Sequence, residues 1–151
     1  MISIRPVNPK EADQCTQIAL RAKSTWAYPR HWMETWTPQL TFTAAYFESN
    51  ESWAAELDGQ LTGFYTLIEQ DKIAWLENMW VRPEFIGQGI GKALFLHAAG
   101  LARQRGYNLL KLEADPNAAG FYKKMGMYKI GERQYEMDGQ PRRLPIMEIK
   151  L

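Results

Sequence analysis

The 151-residue sequence contains a single cysteine, Cys15. One cysteine cannot form an internal disulfide, so a reducing, cytoplasmic location is expected. The first ten residues lack the apolar stretch of a signal peptide. No run approaches the roughly 18 apolar residues that a membrane helix requires, and no association with a membrane is therefore expected.

An excess of charge of one sign is also lacking, because 18 Lys and Arg residues face 17 Asp and Glu residues. Without a global basic field, nucleic acid is not an expected partner. What is present is ordinary for a soluble globular protein, with 46% hydrophobic and 23% charged residues. The length and composition predict one folded domain over residues 1–151.

The spacing of apolar residues predicts the element order β-α-α-β-β-β-α-β-α-β-β. Strands are predicted at residues 2–7, 53–57, 61–69, 73–81, 109–114, from 127 and at 143–151. Helices are predicted from Asn8 to the Tyr28-Pro29 stop, from Thr37-Pro38 to Phe47, from Ile90 to Gly106, and from Asp115-Pro116-Asn117 to Gly126. One strand–helix–strand crossover implies a parallel pair in a mostly antiparallel sheet. The predicted class is therefore α+β, or mixed α/β.

A glycine-rich segment, residues 81–92, joins the predicted strand that ends at Val81 to the following helix. Glycines let the backbone turn tightly and approach a ligand, and the first N–H groups of a helix form an anion site suited to a pyrophosphate. A P-loop is excluded because Ile86 and Ala93 stand where it needs glycine and serine or threonine. A dinucleotide fingerprint fails because Lys92 or Leu94 occupies its last glycine position. A plain helix entry without a ligand remains the alternative.

The run from Trp80 to Leu94 resembles the pyrophosphate-binding motif of the GNAT acyltransferases, Val-x-Pro-x-x-Arg/Gln-Gly-x-Gly-Ile-Gly-x-x-Leu. It departs from that pattern at Ile86, where the family usually has arginine or glutamine. A second block, residues 113–127, is similar to a family segment that contains an asparagine and ends in Phe-Tyr-x-x-x-Gly-Phe, with Met127 replacing the last aromatic residue. The ending Leu144-Pro145-Ile146-Met147-Glu148 resembles a bacterial branch of small single-domain members.

This resemblance implies the acyl-CoA N-acyltransferase fold and transfer of an acetyl group from acetyl-CoA (coenzyme A) to a primary amine by direct attack. The implied coenzyme-binding residues are Met79, Trp80, Val81, Gly87, Gln88, Gly89, Ile90, Gly91, Lys92, Asn117, Tyr122 and Lys124. A simple helix N-cap is the alternative role for Asn117. For Lys92 and Lys124 the alternative is a solvated helix lysine.

The reaction needs a base, an oxyanion donor and a proton donor to the thiolate. Glu77 is the candidate base, because it shares a strand face with Met79 and Val81, and apolar neighbours including Trp75 and Trp80 would favour basicity. The backbone N–H of Met79 is the candidate oxyanion donor, since in the family this strand splays from the next one. Tyr122 is the candidate acid. The alternative for Glu77 is a solvent-facing or salt-bridged strand glutamate. For Met79 the alternative is a fully paired ladder, and for Tyr122 it is a packing tyrosine.

The acceptor side is implied to lie between the first strand and the hairpin, where Trp26, Tyr28, Trp32 and Glu34 are the candidate substrate residues. These aromatics could hold an amine by cation–π contact, or they could simply pack the helices on the sheet. The acceptor, a small molecule or a peptide, stays unidentified. The oligomeric state stays open, with a homodimer as one option.

No metal site is predicted, because His31 and His97 are isolated. Cys15 is interpreted as a small buried residue. Two other functions remain open at this point. One is a non-catalytic acyl-CoA-binding sensor module that tolerates loss of Glu77 and Tyr122. The other is an RNA-modifying acyltransferase, against which the neutral charge argues.

Overall fold

The computed structural model describes all of residues 1–151 and contains seven strands and five α-helices. The strands are β1 (Ile2–Pro6), β2 (Glu51–Leu57), β3 (Gln60–Gln70), β4 (Ile73–Val81), β5 (Leu109–Glu113), β6 (Tyr128–Met137) and β7 (Gln140–Lys150). The helices are α1 (Ala12–Ser24), α2 (Arg30–Trp36), α3 (Ala44–Ser49), α4 (Ile90–Gln104) and α5 (Ala119–Lys124). Single 3₁₀ turns cover Pro9–Glu11, Thr37–Leu40 and Pro83–Phe85.

The strands form one sheet in the order β1-β2-β3-β4-β5-β7-β6, in which β4 and β5 are the parallel pair. The α+β class and the single crossover are thereby confirmed. The chain divides into two compact units, one of Met1–Leu67 with Asn78–Ala98 and one of Ile68–Glu77 with Ala99–Leu151. The assignment of one domain to residues 1–151 stays a prediction.

In the first unit, β1, β2 and β3 form an antiparallel ladder around a tight hairpin turn. Asp58 and Gly59 both have positive φ, 51° and 77°, as a type I′ hairpin turn requires. The predicted helix start at Asn8 is also confirmed, because Asn8 and Glu11 form a capping box on the 3₁₀ turn that leads into α1. The fully buried side chains here include Ile18, Phe64, Tyr65, Ile90, Leu94 and Phe95.

In the second unit, β5 pairs with β7, and β7 continues beyond that pairing as a long hairpin with β6. The hairpin turns at Asp138 and Gly139, whose φ values are 54° and 72°. Leu110, Leu112 and Met147 are the fully buried core of this unit. Positive φ at both central residues is typical of a type I′ hairpin turn.

The segment between α1 and β2 differs from the prediction. Instead of one helix ending at Phe47, it contains α2, a 3₁₀ turn and α3. Thr41 is extended, with φ −100° and ψ 116°, and this breaks the helical path. A new helix then begins where the Thr43 hydroxyl accepts a hydrogen bond from the Tyr46 N–H. None of the helices is long and apolar enough to cross a membrane.

Candidate active site

The glycine segment turns the chain from β4 into α4 through backbone conformations that only glycine adopts readily. Gly87 and Gly89 have φ of 86° and 85°. A Cβ added at Gly87 would meet no atom within 4 Å, and one at Gly89 would meet only Ile2 Cδ1 at 3.9 Å. The glycines are therefore required by backbone conformation and not by crowding, and the loop surface stays open.

The first turn of α4 offers N–H groups beside this open loop. The hydrogen bond from Ala93 N to Gly89 O, 3.0 Å long, closes that turn. The N–H groups of Ile90, Gly91 and Lys92 precede it and have no acceptor within the helix. Main-chain donors at a helix N-terminus suit a pyrophosphate, so the loop has the chemistry that the sequence predicted.

A glycine on β3 supports this arrangement and was missed by the sequence analysis. A Cβ on Gly63 would lie 2.7 Å from the Trp80 carbonyl oxygen and 3.1 Å from Leu94 Cδ1. Gly63 therefore allows the end of β4 and the first turns of α4 to approach β3 closely. Only the three-dimensional contact shows this role, because an isolated glycine inside a strand pattern signals no specific partner.

The burial pattern of β4 changes along the strand. Ala74 and Leu76 are buried, whereas residues 78–81 are all half-buried. The parallel ladder with β5 covers only the pairs Ala74–Leu110 and Trp75–Lys111. A ladder of two pairs on a nine-residue strand agrees with the splay that the family resemblance implied.

Glu77, the candidate base, lies exposed on β4. The apolar enclosure expected from its neighbours is therefore wrong, because Trp75 and Met79, which share its strand face, are themselves only half-buried. Glu77 stays the candidate base as an accessible carboxylate at the end of the buried part of the strand.

A hydrogen-bonded chain of side chains, also missed by the sequence analysis, starts on the same strand. Trp80 Nε1 donates to Asn78 Oδ1 at 3.1 Å, and Asn78 Nδ2 donates to the Tyr46 hydroxyl at 3.0 Å. The chain fixes the amide of Asn78 and the ring of Trp80 relative to α3. Tyr46 in turn packs edge-on against Phe42, with ring centroids 5.2 Å apart.

Three of the four predicted substrate residues lie in one aromatic cluster. The Tyr28 and Trp32 rings are stacked with centroids 5.9 Å apart, and Trp26 meets Tyr28 edge-on at 6.4 Å. Trp26 also lies 6.4 Å from Trp80. Trp36 joins the cluster 4.9 Å from Tyr28, but it is buried and belongs to the core.

The cluster already holds one cation. The Lys23 ammonium lies 4.0 Å from the centroid of the Trp36 ring and 5.7 Å from that of Tyr28. Glu34, the fourth predicted residue, is exposed and paired with Arg30 at 3.2 Å, one helical turn away. The cluster therefore has the geometry for a cation–π contact.

The loop after β5 is held by a buried ion pair in the second unit. Arg142 Nη2 lies 3.2 Å from Asp115 Oδ2, and the two side chains are 9% and 8% exposed. The other Asp115 oxygen accepts the backbone and side-chain N–H groups of Asn117 at 2.9 and 3.0 Å. Arg142 also donates to the Tyr135 hydroxyl at 2.8 Å. This network, which links residues far apart in the sequence, was also missed.

The predicted coenzyme residues outside the glycine loop have contrasting environments. Asn117 is exposed and is not the N-cap, since Ala118 occupies that position, so the capping alternative is wrong. Tyr122 is buried, and burial raises its pKa. The phenol therefore stays protonated at neutral pH, as a proton donor must. Lys124 and Lys92 are both exposed.

The remaining candidates take structural positions. Cys15 is buried, which raises the pKa of its thiol to about 12. His97 Nδ1 lies 2.6 Å from the Tyr65 hydroxyl, and burial lowers the pKa of this histidine. His31 is exposed on α2.

The sequence matches a known protein family and is similar to named proteins over most of its length. The model of the Acetyltransferase (GNAT) family matches residues 13–127. The 5-NmdU N-acetyltransferase of Pseudomonas phage PaMx11 is 30% identical over 138 residues, which are 87% of this chain and 91% of the phage protein. The peptidyl-lysine N-acetyltransferase YiaC of Escherichia coli is 30% identical over 130 residues, 84% of each chain.

A solved structure with the same fold contains coenzyme A. The PaiA N-acetyltransferase of Thermoplasma acidophilum, in complex with coenzyme A, has a TM-score of 0.78 and 22% identity. The match covers 100% of this chain and 99% of that chain. The seven-stranded mixed sheet is thus the fold of these acetyltransferases.

Proposed function

The chain belongs to the GNAT family and is an acetyl-CoA-dependent N-acetyltransferase, and we propose that it acetylates a primary amine by direct attack in a ternary complex. The conformation of the glycine loop carries this proposal. Gly87 and Gly89, with φ near 85°, leave the first N–H groups of α4 free of helical acceptors beside an open surface. These N–H groups would bind the pyrophosphate of the coenzyme, which supplies the activated acetyl thioester.

The side chains of this protein would divide the proton transfers between them. A primary amine with a pKa of about 10 is mostly protonated at neutral pH and must lose a proton before it attacks. Glu77 would accept that proton, directly or through water, and its exposure gives it access to solvent. Tyr122 would donate a proton to the departing thiolate, a role that requires its phenol to be protonated at neutral pH.

The main chain of β4 would complete the site. We assign the backbone N–H of Met79 as the donor to the acetyl oxygen, since the ladder between β4 and β5 covers only two residue pairs. Backbone groups of residues 79–81 would pair with the pantetheine arm like an added strand. Asn117 and Lys124 are assigned as further coenzyme contacts, and Asp115 fixes Asn117 through two hydrogen bonds.

The amine acceptor is proposed to bind at the aromatic cluster of Trp26, Tyr28 and Trp32. Three clustered aromatic rings support the proposal, because aromatic faces attract ammonium groups, and the Lys23 ammonium already lies 5.7 Å from the centroid of the Tyr28 ring. The relatives named as a peptidyl-lysine and a 5-NmdU N-acetyltransferase support a lysine peptide and 5-NmdU as acceptors to be tested.

The direct test is a turnover assay that detects the free thiol of coenzyme A over a panel of amines. The panel contains polyamines, amino acids, a lysine peptide and 5-NmdU, each with acetyl-CoA. Acetylation of at least one amine, with initial rates that fit a ternary complex, is the expected result. Coenzyme binding without turnover on any amine would favour the sensor module instead. Ping-pong kinetics would overturn direct attack.

A further inference from the structure

Strand β4 carries an asparagine, Asn78, at a half-buried position where strands usually hold an apolar or β-branched residue. Asparagine is disfavoured there because its amide must find hydrogen-bond partners when it leaves water. Residues that depart from the local preference of their element are expected at functional sites. The partners of the Asn78 amide therefore indicate what this residue does.

Both ends of the Asn78 amide are bonded to aromatic side chains of the same compact unit. Its Oδ1 accepts the indole N–H of Trp80 at 3.1 Å, and its Nδ2 donates to the Tyr46 hydroxyl on α3 at 3.0 Å. The orientation of the amide is fixed, because a flipped amide would point its own N–H groups at the indole donor. The ring of Trp80 is thus tied to α3 through a single side chain.

The main chain of Trp80 is held as well as its ring. Its carbonyl oxygen lies 2.7 Å from the position of a Cβ on Gly63, so β3 and β4 are in close contact at this point. A side chain that is fixed at its backbone and at its N–H group is preorganised. Preorganisation lowers the entropic cost of binding a ligand against that side chain.

The Trp80 ring extends the aromatic cluster onto β4. Its centroid lies 6.4 Å from that of Trp26, with 47° between the ring planes, and Trp26 in turn meets Tyr28 edge-on at 6.4 Å. Trp80, Trp26 and Tyr28 are all half-buried, so each residue keeps accessible surface. The cluster therefore reaches the strand whose main chain is proposed to bind the acetyl oxygen.

We propose that the Trp80 ring forms a wall of the acceptor site, and that Asn78 and Tyr46 are positioning residues that set the affinity for the amine by fixing this ring. The inference rests on the proposed function, because it takes the aromatic cluster as the place where the acceptor binds. Trp80 then has two tasks, with its main chain on the coenzyme and its indole on the acceptor. Among aromatic rings, the indole of tryptophan attracts an ammonium group most strongly.

The kinetics of Asn78→Leu test the positioning role, since leucine has a similar branched shape and removes both hydrogen bonds. We expect the KM for the amine to rise about three- to tenfold, as for the loss of one hydrogen bond, with the KM for acetyl-CoA unchanged. Glu51→Leu is the matched control, because Glu51 accepts the indole N–H of Trp53 at 3.2 Å with the same two-residue spacing on β2. This control should leave both KM values unchanged.

Two further variants separate positioning from a general loss of packing. Asn78→Asp keeps both contacts, because a carboxylate accepts from the Trp80 indole and from the Tyr46 hydroxyl, so the KM for the amine should not rise. Tyr46→Phe should raise this KM in the wild-type background and add nothing to Asn78→Leu, since Tyr46 acts through Asn78. An unchanged KM in Asn78→Leu, or additive effects of the two substitutions, would overturn the proposal. Should Asn78→Leu fail to fold, an unchanged KM in Tyr46→Phe would overturn it.

Indole N–H signals in the proton–nitrogen NMR spectrum give a readout that does not require turnover. Protein saturated with coenzyme A is titrated with spermidine, a lysine peptide and 5-NmdU. We expect at least one of these amines to shift the Trp80 and Trp26 signals but not the Trp53 signal, and to bind more weakly to Asn78→Leu. Such shifts without any turnover would support the Trp80 wall while the proposed function fails. A Trp80 signal that responds to none of the amines would overturn the inference, and turnover in that case would leave the proposed function intact.

Discussion

The glycine loop of residues 81–92 and the aromatic segment of residues 26–36 lie in the same compact unit but are built differently. The loop presents main-chain N–H groups, and its form depends on two glycines with positive φ. The aromatic segment presents side chains, and its form depends on how Tyr28, Trp32 and their neighbours pack. A backbone site is specified by a few local residue types, whereas a side-chain site can be rebuilt without changing the fold. This difference explains why the coenzyme is evident and the acceptor is not.

The largest expected effect comes from placing a charge in the backbone site. Gly89→Asp combines left-handed strain at φ 85° with a carboxylate beside the proposed pyrophosphate position. Repulsion of about 4 kcal/mol at 4 Å would weaken coenzyme binding about a thousandfold, as measured by calorimetry. Gly59→Asp carries the same charge and similar strain, at φ 77°, in the β2–β3 turn and should bind normally. Unchanged affinity in Gly89→Asp would refute the loop as the coenzyme site.

Removal of the Tyr122 hydroxyl tests whether side chains supply the chemistry once the backbone has bound the coenzyme. Tyr122→Phe should lower kcat about a hundredfold, the lower end of the range for general acid–base catalysis, with little change in coenzyme affinity. Tyr128→Phe removes an exposed hydroxyl, bonded to Glu148 at 2.8 Å, and serves as the control. A normal kcat in Tyr122→Phe would show that Tyr122 is not the acid, and the packing interpretation would then hold.

Glu77→Gln tests the other half of the proton transfer. The rate should fall about tenfold or more at neutral pH, where an amine with a pKa of about 10 most needs a base. The deficit should shrink as the pH rises and the amine deprotonates by itself. Initial rates are measured from pH 6 to pH 10 at intervals of about one pH unit, and the ratio of the variant rate to the wild-type rate is compared across the series. A ratio that stays flat across this range would remove Glu77 from the mechanism.

The close approach at Gly63 tests how strictly the fold positions the loop. Gly63→Ala would place a Cβ 2.7 Å from the Trp80 carbonyl oxygen, and overpacking of this kind costs about 1–3 kcal/mol of unfolding free energy. Gly100→Ala on α4 meets nothing within 4 Å and should stabilise the helix by about 0.5–1 kcal/mol. Urea denaturation of both variants gives the comparison. Equal stability of the two would show that β4 moves freely to accommodate the new methyl group.

The contrast between local backbone features and side-chain contacts also explains which features could be predicted from the sequence. The turns at Asp58-Gly59 and Asp138-Gly139 and the loop glycines are local, because residue type determines the sign of φ. The break of the predicted second helix at Thr41 was not foreseen, since Thr37-Pro38 is equally compatible with a longer helix. The pair of Arg142 with Asp115 is 27 residues apart in the chain. Strand pairing brings such partners together, and no short sequence motif predicts that pairing.

Trp32→Leu probes the side-chain site and has the smallest expected effect. The Trp32 ring is half-buried and stacks on Tyr28, so its loss should leave the fold intact. A cation–π contact of about 0.5–1 kcal/mol corresponds to a rise of about two- to fivefold in KM for a cationic amine, with the KM for acetyl-CoA unchanged. Trp53→Leu removes a half-buried tryptophan that packs on His97, with centroids 4.6 Å apart, and is the control. If both variants keep the wild-type KM for every amine that is turned over, the cluster only packs α2 on the fold, and the acceptor binds elsewhere.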